Sequence, residues 1–263
     1  MRGSGRMGIE FRADRDNWLE LDKCPHILVG GCTGSGKSYL MKSMLCDILM
    51  SNDDARIFVV DPKCVDYQFI TNRKEFMWDG LSNRDNERVK DMWLCKGVSL
   101  LTRDTIESGF VERLFGWMVD KMNTRYRDMM DRGLTLWDGY PIIVVIDELA
   151  DLIYWDRDKQ RDTERRGSRG NIERYLVKIA TLGRAAKVHL ILGTQRPDAT
   201  VLSGQLRANI PTRICLKVNN DMEKRIILGI SGKELESRYG IGGRTERVVY
   251  YDGEYNKLVR ELK

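Results

Sequence analysis

The sequence predicts an α/β protein whose central sheet is mainly parallel and flanked by helices. Short runs rich in β-branched and apolar residues alternate with longer stretches in which apolar residues recur at helical spacing, the pattern of strands joined by crossover helices. The 263 residues are 42% hydrophobic and 32% charged, which suits one compact domain, or a modest pair, with a densely ionic surface. This composition excludes disorder as the main state of the chain.

The first half of the chain contains a leader followed by alternating strands and helices. Residues 1–19 are expected to form the leader with a short N-terminal strand, ahead of a single domain over residues 20–263. The longest predicted helix ends at Gly133, because glycine favours the left-handed conformation that closes a helix. In chain order, the predicted elements are a strand at His26–Val29, a helix from about Lys37 to Met50, strands at Arg56–Val60 and about Gly97–Leu101, and a helix from Val111 to Met129.

The second half continues the alternation and includes one strongly charged stretch. Residues 157–170 contain no apolar side chain and are predicted to form a flexible, solvated loop. Asn171 can cap the helix that follows this loop. The predicted elements are a strand at Ile142–Ile146, a helix over Asn171–Leu182, strands at Val188–Thr194 and Thr212–Val218, and an antiparallel C-terminal hairpin of Val248–Tyr251 with Lys257–Arg260.

Composition also limits the possible classes of function. The longest wholly apolar runs fall far short of the roughly 20 residues that a membrane helix needs, so no membrane span is expected. The six cysteines form no Cys-x-x-Cys pair and only two histidines are present, so no zinc site is expected. Without an apolar signal segment, these cysteines indicate reduced thiols and a cytoplasmic location. The net charge of +5 permits a nucleic-acid partner without identifying one.

The segment Gly31–Ser38 reads GCTGSGKS and fits the phosphate-loop pattern, directly after a predicted strand and at the start of a predicted helix. Its glycines let the backbone wrap a phosphate chain, with the positive end of the helix facing the anion. Lys37 would reach the β- and γ-phosphates of ATP, and the Ser38 hydroxyl would coordinate Mg²⁺. The alternative is a glycine-rich turn that fits the pattern by chance. The predicted nucleotide contacts are Gly31, Cys32, Thr33, Gly34, Ser35, Gly36, Lys37, Ser38 and Tyr39.

Two carboxylates follow the most apolar strand, Ile142–Ile146. In open α/β folds, ligands bind at the carboxyl ends of the strands. Asp147 is therefore predicted to hold Mg²⁺ together with Ser38, and Glu148 to polarise a water for attack on the γ-phosphorus. The alternative is a helix N-terminal turn that simply favours acidic residues. The phosphate-loop pattern favours the catalytic interpretation, and Glu148 indicates a hydrolase rather than a nucleotide binder.

Five motifs follow one another along the chain, at residues 25–38, 61–63, 144–152, 183–197 and 208–213. Together they resemble the motor core of FtsK/SpoIIIE-type DNA translocases of the FtsK/HerA superfamily, over about residues 20–251. The resemblance implies a RecA-like P-loop NTPase that works as a ring, usually a hexamer, with ATP at each subunit interface and double-stranded DNA as its partner.

The resemblance also implies roles for individual residues. Arg184 is similar to the arginine finger that enters the neighbouring subunit's site, and Gln195 to the polar sensor of the γ-phosphate. The alternatives are a helix-terminal arginine that pairs with a carboxylate, and a strand-end glutamine that bonds backbone. Asp61 and Lys63 would link the site to an adjacent loop, or form a plain Asp-Pro turn.

Contact with DNA needs cations at the phosphate backbone. In the charged stretch 157–170, Arg165, Arg166 and Arg169 are candidates for lining a pore, although a run of charges is also typical of a solvated face. The mixed signs of the charges in this stretch weigh against a dedicated DNA contact.

The chain departs from the family pattern in its length. Members of the family carry an anchoring region, an additional subdomain and often a DNA-reading domain, so we expect a motor core whose membrane or recruitment partner is on another chain. A mobile-element, plasmid-transfer or phage version of the motor fits this expectation by analogy. Two other classes stay open, namely a protein-secretion ATPase of type VII and a nucleotide-gated assembly module without motor activity.

Overall fold

The computed structural model describes residues 8–10, 18–21, 24–52, 54–63, 65–67, 98–107, 109–161, 171–231, 233, 237 and 248–251. Strands and helices alternate along these residues, as the sequence predicts. The strands are β1 (Gly8–Glu10), β2 (Trp18–Glu20), β3 (His26–Gly30), β4 (Arg56–Val60), β5 (Val98–Leu101), β6 (Ile142–Ile146), β7 (Val188–Thr194), β8 (Thr212–Cys215) and β9 (Val248–Tyr251). The helices are α1 (Lys37–Ser51), α2 (Arg103–Glu107), α3 (Phe110–Arg132), α4 (Leu149–Arg161), α5 (Asn171–Leu182), α6 (Gly204–Ala208) and α7 (Asp221–Leu228).

The main sheet has the strand order β5-β4-β6-β7-β3-β8-β9. All pairs from β5 to β8 are parallel, which confirms the predicted α/β class with a mainly parallel sheet. β9 pairs antiparallel with β8, whereas the second strand of the predicted hairpin, 257–260, lies outside the described residues. Because the six strands run the same way, their carboxyl ends form one edge, called the carboxyl edge below, and their amino ends form the opposite, amino edge.

The sheet is buried on both faces, as parallel sheets generally are. Successive residues of each strand point to opposite faces, so a continuous apolar strand such as β6 supplies both cores. One core lies between the sheet and α1, and includes Ile143 and Val145 of β6. The other lies under α3, α4 and α5, and includes Val144 and Ile146. This sandwich fixes the two edges of the sheet, where the loops lie.

The charged stretch differs from its prediction at its start. Residues 157–161 continue α4 as helix, and residues 162–170 lie outside the described part of the chain. The side chain of Arg157 bonds the buried Glu173 at 3.0 Å, and this partner, which local composition does not reveal, favours the helical conformation. The start of α5 is predicted correctly at Asn171. In its first turn, the Ile172 N–H is bound by a side chain of another helix, the carboxylate of Asp156 on α4, at 2.9 Å.

Four helices were not predicted, namely α2, α4, α6 and α7. Ser203 and Asn220 cap α6 and α7, because their side chains accept the N–H groups of Leu206 and Glu223. Asn220 followed three residues later by Glu223 is a sequence pattern typical of a helix start, so α7 could have been predicted from the sequence. In the part of the chain that is described, no helix is both long and apolar enough to cross a bilayer.

Candidate nucleotide-binding site

The loop between β3 and α1 is open at its centre. Gly34 and Gly36 have φ angles of 78° and 89°, in the left-handed region that favours glycine, and a Cβ at either position would meet no atom within 4 Å. At Gly31, by contrast, a Cβ would lie 2.5 Å from Ser35 Oγ, so the chain is tightly packed there. The hydrogen bond from Cys32 N to Lys217 O, 2.7 Å long, ties the loop to the segment after β8.

The N terminus of α1 is suited to an anion. The first N–H groups of a helix have no acceptors within the helix, and no side chain caps α1 at Gly36. The first turn also contains no acidic residue that would complement the positive end of the helix dipole. A phosphate group would satisfy both requirements.

Lys37 and Asp147 form a buried pair beside this loop. Their side chains are 3% and 1% exposed, and Lys37 Nζ lies 3.0 Å from Asp147 Oδ1 and 2.5 Å from the Asp147 carbonyl oxygen. Asp147 Oδ2 is buried and has no hydrogen-bond partner among the described residues. Burial raises the pKa of Asp147, although the charge of Lys37 acts against this effect. The carboxylate therefore keeps one oxygen available to a cation.

Asp66 is a residue of this site that the sequence prediction missed. Its Oδ2 accepts from Ser38 Oγ at 2.9 Å, and Ser38 Oγ lies 3.5 Å from Asp147 Oδ1. Burial favours a higher pKa for Asp66, but the hydrogen bond and charge of Lys42 outweigh it and lower the pKa. Only the tertiary fold brings Asp66 to the loop, because no motif contains it.

Asp61 positions Asp66 through the backbone. Asp61 is fully buried, and its carboxylate accepts the N–H groups of Lys63, Asp66 and Tyr67 at 3.2 Å each. The Asp-Pro segment is therefore a turn organised by the Asp61 side chain, and it delivers a second carboxylate to Ser38. Lys63 Nζ lies 3.9 Å from Asp151 Oδ2 on α4. In the described residues, no group of three or more His, Cys, Asp or Glu side chains forms a metal cluster by itself.

Glu148 and Gln195 meet at the carboxyl edge. Glu148 is 2% exposed, and its carboxylate accepts from Gln195 N at 2.9 Å and from Thr194 Oγ1 at 3.0 Å. Burial raises the pKa of Glu148 above its usual value, against the effect of the Lys37 charge. The Gln195 side chain accepts from Thr33 Oγ1 at 2.9 Å, which connects the end of β7 to the phosphate loop.

Arg184 lies away from these residues. It is exposed in the turn that precedes β7, at the amino edge of the sheet. The seven residues of β7 separate it from Gln195, a span of about 20 Å at the usual strand rise. The structure therefore does not bring Arg184 to the phosphate loop of its own chain.

The remaining predicted site residues fall into two groups. Cys32 and Ser35 belong to the loop, and Tyr39 is 55% exposed on the surface of α1. Arg165, Arg166 and Arg169 lie outside the described residues, so their predicted contact with DNA stays a prediction.

Comparison with known proteins connects this geometry to a family. The sequence model of the FtsK/SpoIIIE family matches residues 1–72 and 135–199. The chain is 29% identical over 218 residues to the DNA translocase FtsK of Borreliella burgdorferi, covering 82% of this chain and 25% of that protein. It is also 29% identical over 287 residues to FtsK of Chlamydia trachomatis, covering 99% of this chain and 33% of that protein. The chain thus spans about a quarter to a third of the curated relatives that it matches.

Solved structures share the fold. The pCW3 conjugation coupling protein TcpA, in a monomer form with ATPγS, superposes with a TM-score of 0.66 at 24% identity, over 94% of this chain and 63% of that one. The cytoplasmic domain of the type VII secretion ATPase EccC of Thermomonospora curvata gives 0.60 at 21% identity, over 97% and 28%. The DNA-packaging ATPase B204 of Sulfolobus turreted icosahedral virus gives 0.52 at 17% identity, over 90% and 96%. The predicted RecA-like P-loop ATPase fold is confirmed.

Proposed function

Because the chain belongs to the FtsK/SpoIIIE family, we propose that it is an ATP-dependent motor subunit that moves double-stranded DNA. In this proposal the subunits form a ring, expected to be a hexamer, and hydrolyse ATP at their interfaces. The observation that carries the proposal is the carboxyl edge. There, an open phosphate loop, a buried Lys37–Asp147 pair and the buried carboxylate of Glu148 lie together. A cytoplasmic location fits a protein that consumes ATP.

ATP would bind with its phosphates in the loop of residues 31–38. The N–H groups at the start of α1 and the ammonium group of Lys37 would bind the phosphate oxygens. A magnesium ion fits the oxygen atoms beside them, because Asp147 Oδ2 is buried without a partner in the described chain and the Ser38 hydroxyl is adjacent. Ser38 and Asp147 would hold Mg²⁺, which supplies charge neutralisation at the phosphates, with Asp66 as a further oxygen donor beside Ser38.

Glu148 would act as the general base. Burial raises its pKa towards the range in which a carboxylate accepts a proton from water more readily. The hydrogen bonds from Thr194 and Gln195 N fix the direction of the carboxylate. Gln195 would report the presence of the γ-phosphate, because its side chain already contacts Thr33 in the phosphate loop.

Arg184 would act in a neighbouring subunit. It lies at the amino edge, about 20 Å from the carboxyl edge of its own sheet, so it fits a role in trans. A guanidinium group there would stabilise the charge that develops on the transferred phosphoryl group. This arrangement makes hydrolysis depend on assembly, which a ring motor requires.

DNA would pass through the ring and contact cationic loops. Arg165, Arg166 and Arg169 are the proposed contacts, and they would bind phosphates without reading bases. We propose a mobile-element, plasmid-transfer or phage type of motor.

The test compares ATP turnover of the purified protein with duplex DNA, with single-stranded DNA and without polymer. Stimulation by the duplex is expected. Lys37→Ala should remove ATP binding or turnover, whereas Glu148→Gln should retain binding and lose turnover. Wild-type turnover in both variants would refute the site assignment, and absence of stimulation by duplex DNA under conditions of assembly would refute the DNA motor.

A protein-secretion ATPase is the second candidate, because the EccC domain shares the fold over 97% of this chain. This candidate predicts stimulation by a cargo peptide in place of DNA. A nucleotide-gated assembly module predicts ring formation with ATP and no turnover. The same turnover assay, extended by a peptide arm and a sedimentation measurement, separates the three functions.

A further inference from the structure

The turn that presents Arg184 has every backbone carbonyl occupied. From Leu182 to Lys187, six consecutive carbonyl oxygens each accept a hydrogen bond. Three of the donors are the N–H groups of Lys187 in the turn, Val188 in β7 and Ile142 in β6. The other three come from α3 and the loop that follows it. The pairs from this second group are Tyr126 Oη to Leu182 O, Trp137 N to Ala185 O at 2.8 Å, and Arg125 Nη1 to Ala186 O at 2.6 Å.

Arg125 is an unusual donor for this purpose. It is 1% exposed, and its Nη2 bonds Tyr140 O at 3.0 Å while Nη1 bonds Ala186 O. The rings of Trp137 and Tyr140 lie 5.2 Å and 4.9 Å from its guanidinium carbon. In the described part of the chain no carboxylate pairs with it. Burial of a cation without a counter-ion is costly, so the backbone bonds and the two rings must compensate for the lost hydration.

The backbone of the turn is itself constrained. Lys187 has a φ of 50°, and it is the only non-glycine residue with positive φ among the described residues. At Gly183, a Cβ would lie 2.3 Å from Val188 O and 2.6 Å from Ile179 O, so only glycine fits. Such conformations persist only where the surroundings hold them, and they cluster at functional sites. Apart from Arg184, the turn has no side chain with an evident use in the proposed reaction.

We propose that Arg125 is a positioning residue for Arg184. The inference rests on the proposed function, in which Arg184 enters the active site of a neighbouring subunit. Arg125 donates a hydrogen bond to the carbonyl of Ala186, two residues beyond Arg184. This bond fixes the backbone of the turn and therefore the direction in which the Arg184 side chain extends from it. A finger that acts across an interface must be pre-organised within its own subunit, because small displacements of a catalytic group reduce turnover strongly.

The test uses Arg125→Met, which retains a long apolar side chain and removes the donors. Turnover with duplex DNA should fall about 10- to 100-fold, the loss expected for a catalytic group displaced by about 1 Å. The KM for ATP should stay within about twofold of wild type, because the phosphate loop lies at the other edge of the sheet. Arg132→Met is the matched control: it removes an exposed arginine of the same helix that pairs with Asp128 and Asp138 and does not touch the turn. It should retain wild-type turnover.

Mixing variants separates positioning from a general structural role. A Lys37→Ala subunit cannot hydrolyse ATP at its own site, but its Arg184 is unchanged and can act in the site of the neighbouring subunit. In mixed rings it should therefore restore hydrolysis at the sites of Arg125→Met neighbours, to several times the activity of either variant alone. A loss of folding in Arg125→Met would not be rescued in this way. Arg184→Ala mixed with Lys37→Ala is the reference, since it should show the same rescue.

The outcomes are distinct. Wild-type turnover in Arg125→Met, or loss without rescue while the Arg184→Ala mixture is rescued, overturns the positioning role and leaves the proposed function intact. Failure of the reference mixture overturns the trans role of Arg184, and the positioning inference with it. Tyr126→Phe removes only the bond to Leu182 O and provides a milder variant if Arg125→Met does not fold. Its turnover should fall with an unchanged KM, and the same mixing should restore it.

Discussion

The phosphate loop at the carboxyl edge and the Arg184 turn at the amino edge differ in how fully their hydrogen-bonding groups are paired. At the carboxyl edge the polar groups are incompletely satisfied: Asp147 Oδ2 has no partner among the described residues, and α1 begins without a side-chain cap. At the amino edge, each of the six carbonyls from Leu182 to Lys187 has a donor. The first edge is thus prepared to receive a ligand, whereas at the second edge the carbonyls of the Arg184 turn are all bonded and the turn presents one exposed arginine.

This difference follows from the roles proposed for the two edges. A site that receives phosphate and metal must keep donors and acceptors available, and tolerates the cost because the ligand supplies the missing partners. A turn that supplies a group to another subunit has no ligand to organise it. It must therefore be rigid before the subunits meet. Variants at the carboxyl edge should therefore affect ATP binding and hydrolysis, and variants at the amino edge should affect hydrolysis in the neighbouring subunit.

The largest effect is expected from Arg184→Ala, which removes the group that the amino edge presents. Turnover should fall by about 10³- to 10⁵-fold, the contribution of an arginine finger to phosphoryl transfer. Stability should change by about 0.5 kcal/mol or less, because the side chain is exposed. Steady-state kinetics and urea unfolding measure the two quantities. Arg174→Ala removes an exposed arginine from the adjacent helix α5 and should be neutral in both. Equal losses in the two variants would contradict the assignment.

Glu148→Gln tests the carboxyl edge with a change of similar size. Replacing the carboxylate removes the base, so turnover should fall by about 10²- to 10⁴-fold while ATP still binds. Binding of a fluorescent ATP analogue and single-turnover hydrolysis measure the two steps. Asp151→Asn, three residues further along in the first turn of α4, is the control and should retain turnover within about threefold. If Glu148→Gln hydrolyses ATP normally, the base lies elsewhere.

Lys37→Ala should also destabilise the protein, independently of its effect on ATP. It leaves the carboxylate of Asp147 buried without its cation, and breaking a buried pair in this way costs about 3–5 kcal/mol. Lys42→Ala breaks the partly exposed pair with Asp66 and should cost about 1 kcal/mol or less. Urea unfolding at neutral pH compares the variants. A Lys37→Ala protein as stable as wild type would mean that the pair contributes nothing without ligand.

The last prediction concerns stability at low pH, which should depend on different groups at the two edges. His26 and His189 lie buried at the amino edge, and burial lowers their pKa values from 6.5 to about 3 and about 4. Between pH 6.5 and pH 4, the unfolded chain therefore binds protons that the folded chain does not. The free energy of unfolding should fall with decreasing pH, by about 1.4 kcal/mol per pH unit for each histidine.

The buried carboxyl groups give the opposite sign. Burial raises the pKa of Glu148 above 4.5, so the folded chain binds a proton at a higher pH than the unfolded chain does. Its contribution to stability therefore grows as the pH falls from neutral towards 4.5. Urea unfolding from pH 7.5 to pH 5 measures the sum. The double variant His26→Asn/His189→Asn replaces each imidazole by an amide, which can still accept from Leu190 N or donate to Pro25 O but does not titrate. It should remove the fall in stability at low pH. An unchanged fall would mean that other groups cause it.

Much of the fold could be predicted because the strands are apolar throughout. β4, β6 and β7 have the predicted bounds, since a parallel sheet covered on both faces requires continuous apolar runs. The helices α2, α6 and α7 were not predicted because they are short, and α4 was not predicted because its last residues belong to the charged stretch 157–170, whose composition is typical of a loop. The first residues of the charged stretch 157–170 were predicted as loop because the partner of Arg157 lies 16 residues further along the chain, on α5. The two side chains meet only in the folded protein.

The sequence by itself placed the phosphate loop, Asp147 and Glu148 at one edge, because a motif fixes local backbone conformation and strands of one direction end at one edge. The family resemblance added Gln195. Only the tertiary structure decided that Asp66 joins Ser38 and that Arg125 holds the turn of Arg184. These contacts join residues that are far apart in the chain, so no local pattern encodes them. They exist because packing of the helices on the sheet brings those side chains together.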